Sequence, residues 1–304
     1  MKQQINQLRG SLLLLLTSMI WGAAFVAQSA GMDYIGPFTF NGLRMLMGAA
    51  VLLPFLLKRR TGAHTNASER KMLLRGGILC GVALFVGSTL QQIGIVDTTA
   101  GKAGFITAMY VVLVPVMGVF VGHKQPWLVW LGVALSAVGM YFLCVHESLS
   151  LNRGDLMVLA GAVGFSFHIL LIDRYSAHVD GVKLSCLQFF VAGVLGLVFM
   201  FLFETPQISQ IFAAWLPLLY AGVFSCGVAY TLQILGQRDT DPTIASMILC
   251  LEAVFSVVFS WFLLGERLSA REIFGCVLIF AAILLAQLKG KAGDPETKPP
   301  VKNE

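Results

Sequence analysis

The sequence predicts an all-α membrane protein in which ten transmembrane helices form two inverted five-helix repeats. Three observations lead to this prediction: long apolar runs without charge, an internal duplication, and an uneven distribution of lysine and arginine among the connecting segments. The chain has 304 residues, of which 57% are hydrophobic and 12% are charged. That is about half the charge of a typical soluble domain.

Uncharged apolar runs divide the chain into candidate helices. The runs 10–32, 76–96, 103–122 and 125–145 contain no charged side chain, and about 20 apolar residues suffice for a helix to cross the roughly 30 Å hydrocarbon core. Because backbone groups in lipid must pair within their own segment, such runs have to be helical. The first run is too long for a cleaved signal peptide and is expected to be retained. The predicted helices cover approximately 10–30, 37–57, 76–96, 102–122, 126–145, 154–174, 182–203, 211–235, 242–264 and 271–288.

A segment in the first half of the chain recurs in the second half. Residues 89–124 align without a gap with residues 231–266, and eight of the first eighteen positions are identical. Weaker similarity, at an offset of 144 residues instead of 142, extends the match upstream. We therefore predict a first repeat over 1–150, a second repeat over 151–288, and a polar cytoplasmic tail over 289–304.

The basic residues predict the orientation of the helices. Sixteen lysines and arginines lie at the termini and in the loops on the same side as the termini, and four lie in the loops on the other side. This bias predicts that both termini are cytoplasmic. Since five helices per repeat is an odd number, the second repeat must cross the membrane in the opposite sense to the first. Inverted repeats of this kind are typical of transporters that open a midplane site alternately to either side.

Several other classes of protein are disfavoured. The net charge of +5 is not organised into a basic helix or an RNA-binding aromatic motif, so no nucleic-acid partner is predicted. The six cysteines lie in apolar runs without metal-ligand spacing, and we expect no metal site or cofactor. Nucleotide-binding, metalloprotease and nucleophile-elbow motifs are absent from the sequence, so we predict that the protein is not an enzyme. The expected partners are the lipid bilayer and a small-molecule substrate, with the chain acting as a monomer or a homodimer.

Polar and aromatic side chains inside the apolar runs are the candidate site residues, because polar groups are costly in lipid. We expect Arg44 to face the bundle interior and hold an anionic group or a counter-carboxylate; alternatively it snorkels to the extracellular side. Glu252 can exchange a proton as the site alternates; alternatively it forms a structural pair with Arg44 or caps a helix kink. The candidates for substrate contact or cavity lining are Trp21, Arg44, Gln91, Tyr110, Tyr230 and Gln233, and the candidates for coupling are Glu252 and His168.

Each remaining candidate also has a purely structural interpretation. Gln91 and Gln233 can contact substrate or bridge helices, and His168 can relay protons or serve as a packing residue. Tyr110 and Tyr230 can line a polar cavity or form interhelical hydrogen bonds. Trp21 can border the cavity or pack against other aromatic rings. The dipeptides at 97–98 and 239–240, each Asp-Thr, are predicted to cap the helices that follow them.

Four short motifs, taken in order, carry a family resemblance: IWGAAF at 20–25, FNGLR at 40–44, TTAGKAGF at 98–105 and LGERL at 264–268. Together with the duplication, they resemble the EamA family of the drug/metabolite transporter superfamily over residues 10–288. The resemblance implies a ten-helix inner-membrane carrier that moves small metabolites, often outward, including amino acids, purines and drugs. Family members often carry Glu-Pro where this chain has Glu252 and Ala253, so a proline-dependent kink is not predicted here.

The function predicted from these features is secondary transport of small metabolites or drugs across the cytoplasmic membrane, in the direction of export, by alternating access. Without an ATPase motif, uphill transport would need a proton gradient or substrate exchange. One alternative is a membrane scaffold or sensor without flux. Another is a lipid-modifying enzyme, which would need a cluster of catalytic polar groups at one membrane interface.

Overall fold

The computed structural model describes residues 2–58, 67–98, 100–144, 152–264 and 269–289. Every regular element in these ranges is helical. The elements are α1 (Lys2–Met32), α2 (Pro37–Lys58), α3 (Ala67–Asp97), α4 (Ala100–Thr107), α5 (Tyr110–Phe120), α6 (Trp127–Cys144), α7 (Arg153–Ser176), α8 (Gly181–Phe203), α9 (Ile208–Ala213), α10 (Trp215–Leu219), a π-helix (Tyr220–Tyr230), α11 (Thr231–Gln237), α12 (Pro242–Leu249), α13 (Leu251–Leu264) and α14 (Ala270–Lys289). The motif residues 265–268 and the tail from 290 lie outside the described residues.

Seven helices in the described ranges are long and apolar enough to cross a membrane. They are Ile5–Met32, Pro37–Leu57, Ala67–Asp97, Ala103–Phe120, Arg153–Ser176, Gly181–Phe203 and Trp215–Gln237. Three shorter apolar helices, Trp127–Phe142, Pro242–Ser256 and Ile273–Ala286, occupy the remaining predicted segments. The prediction of an all-α, multi-pass membrane protein is confirmed, and the count of ten spans stays a prediction.

Local sequence signals set several helix starts. Proline, which lacks an N–H and has a helical φ, is the first residue of α2 and of α12. Asn152 and Asp155 form a reciprocal capping box at the start of α7, with both hydrogen bonds 2.8 Å long. The N-terminus of α2 is capped from another helix: Glu204, which follows α8, accepts hydrogen bonds of 2.8 Å from two of its backbone N–H groups.

The predicted capping role of residues 239–240 is wrong. The cap of α12 is Asp241, whose Oδ1 accepts from the backbone N–H of Thr243 at 2.8 Å. Thr240 instead donates its hydroxyl to a carbonyl in the preceding turn. In the first repeat, Asp97 ends α3 and the Thr98 hydroxyl donates to Asp155 at 2.7 Å, while residue 99 lies outside the described ranges.

The helices pack as two related halves. The helix α3 packs against α7, and α1 packs in the same way against residues 215–237. In the duplication, α1 is the counterpart of α7, and residues 215–237 are the counterpart of α3. Each crossing is made by glycines: a Cβ on Gly94 would lie 2.5 Å from the carbonyl oxygen of Gly154, and one on Gly236 would lie 2.9 Å from that of Gly10. One contact therefore occurs twice with the roles of the repeats exchanged, as a twofold rotation requires.

Two further pairs of equivalent helices meet directly between the repeats. The helix α2 packs against its counterpart α8, and α6 packs against its counterpart α14. Helices that contact their own counterparts lie next to the rotation axis. The axis therefore passes between these pairs, and the residues around it belong to both repeats.

A central polar cavity as the candidate functional site

A cavity lies within the helix bundle and is partly open to its surroundings. All eight predicted site residues line it: Trp21, Arg44, Gln91, Tyr110, His168, Tyr230, Gln233 and Glu252. The lining residues that sequence analysis did not single out are Ala24, Phe25, Gln28, Thr107, Phe165, Ile169 and Ser225. The structure thus brings the predicted residues together, and their individual roles stay predictions.

Most of the lining consists of residues that the duplication makes equivalent. With the offsets of 142 and 144 residues, ten of the fifteen lining residues form five pairs. The pairs are Trp21 with Phe165, Ala24 with His168, Phe25 with Ile169, Gln91 with Gln233, and Tyr110 with Glu252. The cavity therefore lies on the axis that relates the two repeats.

Tyr110 and Glu252 contact each other although they occupy the same position in the two repeats. The Tyr110 hydroxyl donates to Glu252 Oε1 at 2.9 Å. A residue that touches its own counterpart must lie beside the twofold axis. The prediction of a structural pair between Glu252 and Arg44 is not met in the described residues, because no ion pair joins them there.

A helix interruption precedes each member of this pair. The predicted fourth and ninth helices are each continuous in our sequence analysis, but both are broken, between α4 and α5 and between α12 and α13. Each break contains the same tight backbone hydrogen bond, from Val111 to Ala108 at 3.0 Å and from Ala253 to Cys250 at 3.2 Å. The second break forms although no proline follows Glu252. Interruptions at corresponding positions of two halves are a feature of binding sites in transporters.

Arg44 is buried beside the cavity, with 2% of its surface exposed. Its Nε donates to Asn41 Oδ1 at 2.7 Å, and its guanidinium carbon lies 5.7 Å from the centroid of the Phe40 ring. The Asn41 amide is itself fixed, because its Nδ2 donates to the Ser88 carbonyl at 3.0 Å and lies 3.4 Å from the Thr89 hydroxyl. The arginine thus faces inward, as predicted, and the predicted alternative of snorkelling to the extracellular side does not hold.

The two equivalent glutamines have different environments. Gln91 donates through Nε2 to the Thr107 hydroxyl at 2.9 Å. Leu249 occupies the position equivalent to Thr107 and offers no such acceptor. Gln233 is 1% exposed and its Oε1 has no hydrogen-bond partner among the described residues. This oxygen is enclosed by its neighbours, whereas the Gln233 amide nitrogen is not among the enclosed atoms and can donate to a molecule in the cavity.

Aromatic residues form the middle of the cavity wall. The rings of Trp21 and Tyr230 have centroids 4.6 Å apart. His168 meets Tyr230 edge to face at 5.9 Å, and its Nε2 lies 3.0 Å from Gln188 Oε1. This geometry satisfies His168 locally, as the predicted packing role requires.

The predicted eighth helix is not a regular α-helix. It includes the π-helix over residues 220–230, a form that is rare and often found at functional sites. Two of its carbonyls accept hydrogen bonds from α1, Ser225 from Trp21 Nε1 at 3.4 Å and Ala229 from the Thr17 hydroxyl at 3.1 Å. The equivalent stretch of α3 is regular, so this segment is a point where the twofold symmetry breaks.

Within the described ranges, no three His, Cys, Asp or Glu side chains are grouped as metal ligands. The chemistry that the lining offers is therefore one guanidinium, one carboxyl, one imidazole, three amides, and the hydroxyls and aromatic rings around them.

A duplicated bundle of apolar helices with a polar cavity on its symmetry axis is an architecture of multi-pass membrane transporters. The model of the EamA-like transporter family matches residues 8–145 and 152–288. The chain therefore belongs to this family, and the resemblance inferred from the four sequence motifs is confirmed. Transporters as a class are generally not enzymes.

Relatives in distant microbes are similar over nearly the full chain. An uncharacterized transporter of Archaeoglobus fulgidus is 32% identical over 294 residues, covering 94% of this chain and 88% of that protein. The uncharacterized transporter YoaV of Bacillus subtilis is 25% identical, covering 88% and 93%. The uncharacterized inner membrane transporter YedA of Escherichia coli is also 25% identical, covering 88% and 87%.

A solved structure has the same fold. Its TM-score to this chain is 0.75 at 18% sequence identity, and the match covers 93% of this chain and 98% of the other. At this level of identity the likeness concerns the fold alone.

Proposed function

We propose that the protein is a secondary transporter that exports small metabolites or drugs across the cytoplasmic membrane by alternating access. The observation that carries this proposal is the cavity on the twofold axis, lined by equivalent residues of both repeats. If the two repeats exchange their conformations, the same set of side chains becomes accessible from the opposite side of the membrane.

The proposal includes ten spans, an inverted second repeat and two cytoplasmic termini. The odd number of helices in each repeat and the distribution of basic residues support it. The repeat boundary near residue 150 and the cytoplasmic tail over 289–304 belong to the same proposal. Cysteine labelling from each side of the membrane tests it, and labels that place the two termini on opposite faces would refute it.

We further propose that Glu252 couples transport to protons. The residue is 4% exposed, and among the described residues its carboxyl group accepts one side-chain hydrogen bond, from Tyr110. This contact joins the two halves at the axis, so any movement of one repeat against the other must change it. When the cavity opens to water, the carboxyl group can exchange a proton with that side. His168 is the second candidate, and substrate exchange is the alternative to proton coupling.

Flux in proteoliposomes tests the proposed function. The medium of overexpressing cells is compared with that of cells lacking the gene, and compounds that differ are then offered to the purified protein in counterflow. We expect at least one compound to accumulate in liposomes that contain the protein and not in liposomes without it. If no compound of this set moves, the scaffold or sensor alternative is favoured.

Coupling is tested in the same liposomes with an imposed pH gradient. We expect the gradient to drive uptake by the wild-type protein and to have no effect on the Glu252→Gln variant, which would still catalyse counterflow. The variant Asp33→Asn, which changes an exposed carboxylate outside the cavity, is the control. An unchanged response in Glu252→Gln removes this residue from the coupling step.

A further inference from the structure

We infer that Arg44 binds a carboxylate group of the transported compound, so that the substrates are small organic anions with one carboxylate and an apolar or aromatic body. The inference rests on the proposed transport through the central cavity and narrows its substrate class.

The first argument is the uncompensated charge of Arg44. A buried charged group is costly unless it is paired, yet no carboxylate of the described residues lies within salt-bridge distance of this guanidinium. Its partners there are a neutral amide at Nε and the face of Phe40. The Nη atoms have no hydrogen-bond partner in the described part of the chain. Two parallel N–H groups on a planar guanidinium match the geometry of a carboxylate.

The second argument is preorganisation. The Asn41 amide that orients Nε is anchored on α3 through the Ser88 carbonyl. Both members of this relay are buried, with 1% of Asn41 and none of Ser88 exposed. A guanidinium that is already oriented loses little conformational freedom when an anion binds.

The third argument comes from the second repeat. The residue equivalent to Arg44 is Gln188, which is also fully buried but interacts with His168 and does not line the cavity. A helix packed in the same way therefore carries a neutral side chain at this position. Helix packing alone therefore does not require a positive charge at Arg44, whereas binding of an anionic ligand does.

The remaining lining defines the rest of the substrate. Among the described lining residues Arg44 is the one arginine or lysine, which suits a single carboxylate better than a phosphate group of higher charge. The rings of Trp21 and Tyr230 provide an aromatic surface beside it. Gln233 also lines the cavity, and its amide nitrogen, which is not among the enclosed atoms, can donate a hydrogen bond to a polar substituent.

The test compares carboxylates with uncharged compounds of the same shape. Binding to the purified full-length chain is measured as a rise in the midpoint of thermal unfolding, with butyrate and butyramide, benzoate and benzamide, and phenylacetate and phenylacetamide as matched pairs. We expect the carboxylate of at least one pair to stabilise the wild-type protein at lower concentration than its amide. If no pair discriminates in this way, the inference is overturned, and this comparison requires no variant.

Variants then assign the preference to one residue. Arg44→Gln, which installs the side chain found in the other repeat, should weaken carboxylate binding by about 10- to 100-fold, as expected for the loss of a hydrogen bond to a charged group. Arg44→Lys keeps the charge but not the paired N–H geometry, and its affinity for the carboxylate should lie between those of Arg44→Gln and the wild type. Arg174→Gln removes an exposed arginine at the end of α7 and should leave binding unchanged. A preference that persists in Arg44→Gln would refute the assignment.

Counterflow in proteoliposomes separates this inference from the proposed function. If the amides are transported as well as the carboxylates, transport stands and the anion site fails. If carboxylates bind selectively to the protein but no compound crosses, the anion site stands and the transport function fails.

Discussion

The glycine crossing between α3 and α7 gives a quantitative prediction for Gly94→Ala. The added Cβ would lie 2.5 Å from the Gly154 carbonyl oxygen and 3.0 Å from the backbone nitrogen of Val158. Both contacts are with backbone atoms, which cannot rotate aside as a side chain can. A normal carbon–oxygen contact is about 3.4 Å, so the two helices must separate by roughly 0.9 Å at this point.

The loss of stability follows from the van der Waals contacts between the helices that such a gap weakens. A gap of about 0.5–1 Å forfeits a quarter to a half of an attraction of ~0.15 kcal/mol per atom pair, which over about 50 pairs amounts to roughly 2–4 kcal/mol. Alanine recovers about 1 kcal/mol because it favours the helix more than glycine does. We therefore expect Gly94→Ala to lower the free energy of unfolding by about 1–3 kcal/mol.

Thermal unfolding of the purified protein in detergent measures this effect, with Gly104→Ala as the matched control. The nearest atom to a Cβ at Gly104 is a ring carbon of Phe25 at 3.9 Å, so this variant should be as stable as the wild type or more stable. The equivalent crossing in the other half predicts an intermediate loss for Gly236→Ala, since its closest backbone oxygen is at 2.9 Å. If Gly94→Ala is as stable as Gly104→Ala, the helices do not cross as described.

The remaining predictions concern side chains of the cavity and the α12 cap. Tyr110→Phe removes the hydrogen bond to Glu252 and should lower the free energy of unfolding by about 1 kcal/mol, measured by thermal unfolding. Gln91→Leu leaves the buried Thr107 hydroxyl without its donor and should destabilise the protein. Gln233→Leu removes an amide whose oxygen is unpaired in the described residues, so its stability should equal or exceed that of the wild type. The same variant should slow counterflow. Asp241→Ala removes the cap of α12 and should cost about 1 kcal/mol, with equal stability of variant and wild type arguing against that cap.

Much of the cavity could be predicted because polar groups in apolar runs are expensive. Arg44, Glu252 and the glutamines Gln91 and Gln233 stand out in the sequence for this reason, and all four line the cavity. The duplication predicts more than composition does, since it identifies positions that meet at a symmetry axis. The family resemblance follows from the same segments and is confirmed.

Other features of the site left a weaker signal or none. Gln28 is a polar residue in an apolar run and could have been found by the criterion that identified Gln91. Thr107 and Ser225 have small hydroxyls, which usually bond to their own helix in any membrane span. The breaks after α4 and α12 and the π-helix depend on contacts between helices, and in the ninth helix no proline indicates the break.

The contact between Tyr110 and Glu252 bears on the history of the chain. In a homodimer of identical five-helix subunits, the residue on the axis would face a copy of itself, and two glutamates there would repel each other. Joining the subunits into one polypeptide allows the two copies of this position to differ, so that a phenol can donate to a carboxylate. A glutamate beside the axis is thus compatible with a fused gene. In an unfused ancestor, the residue at this position would have needed a side chain that can form a hydrogen bond with the same side chain of the second subunit.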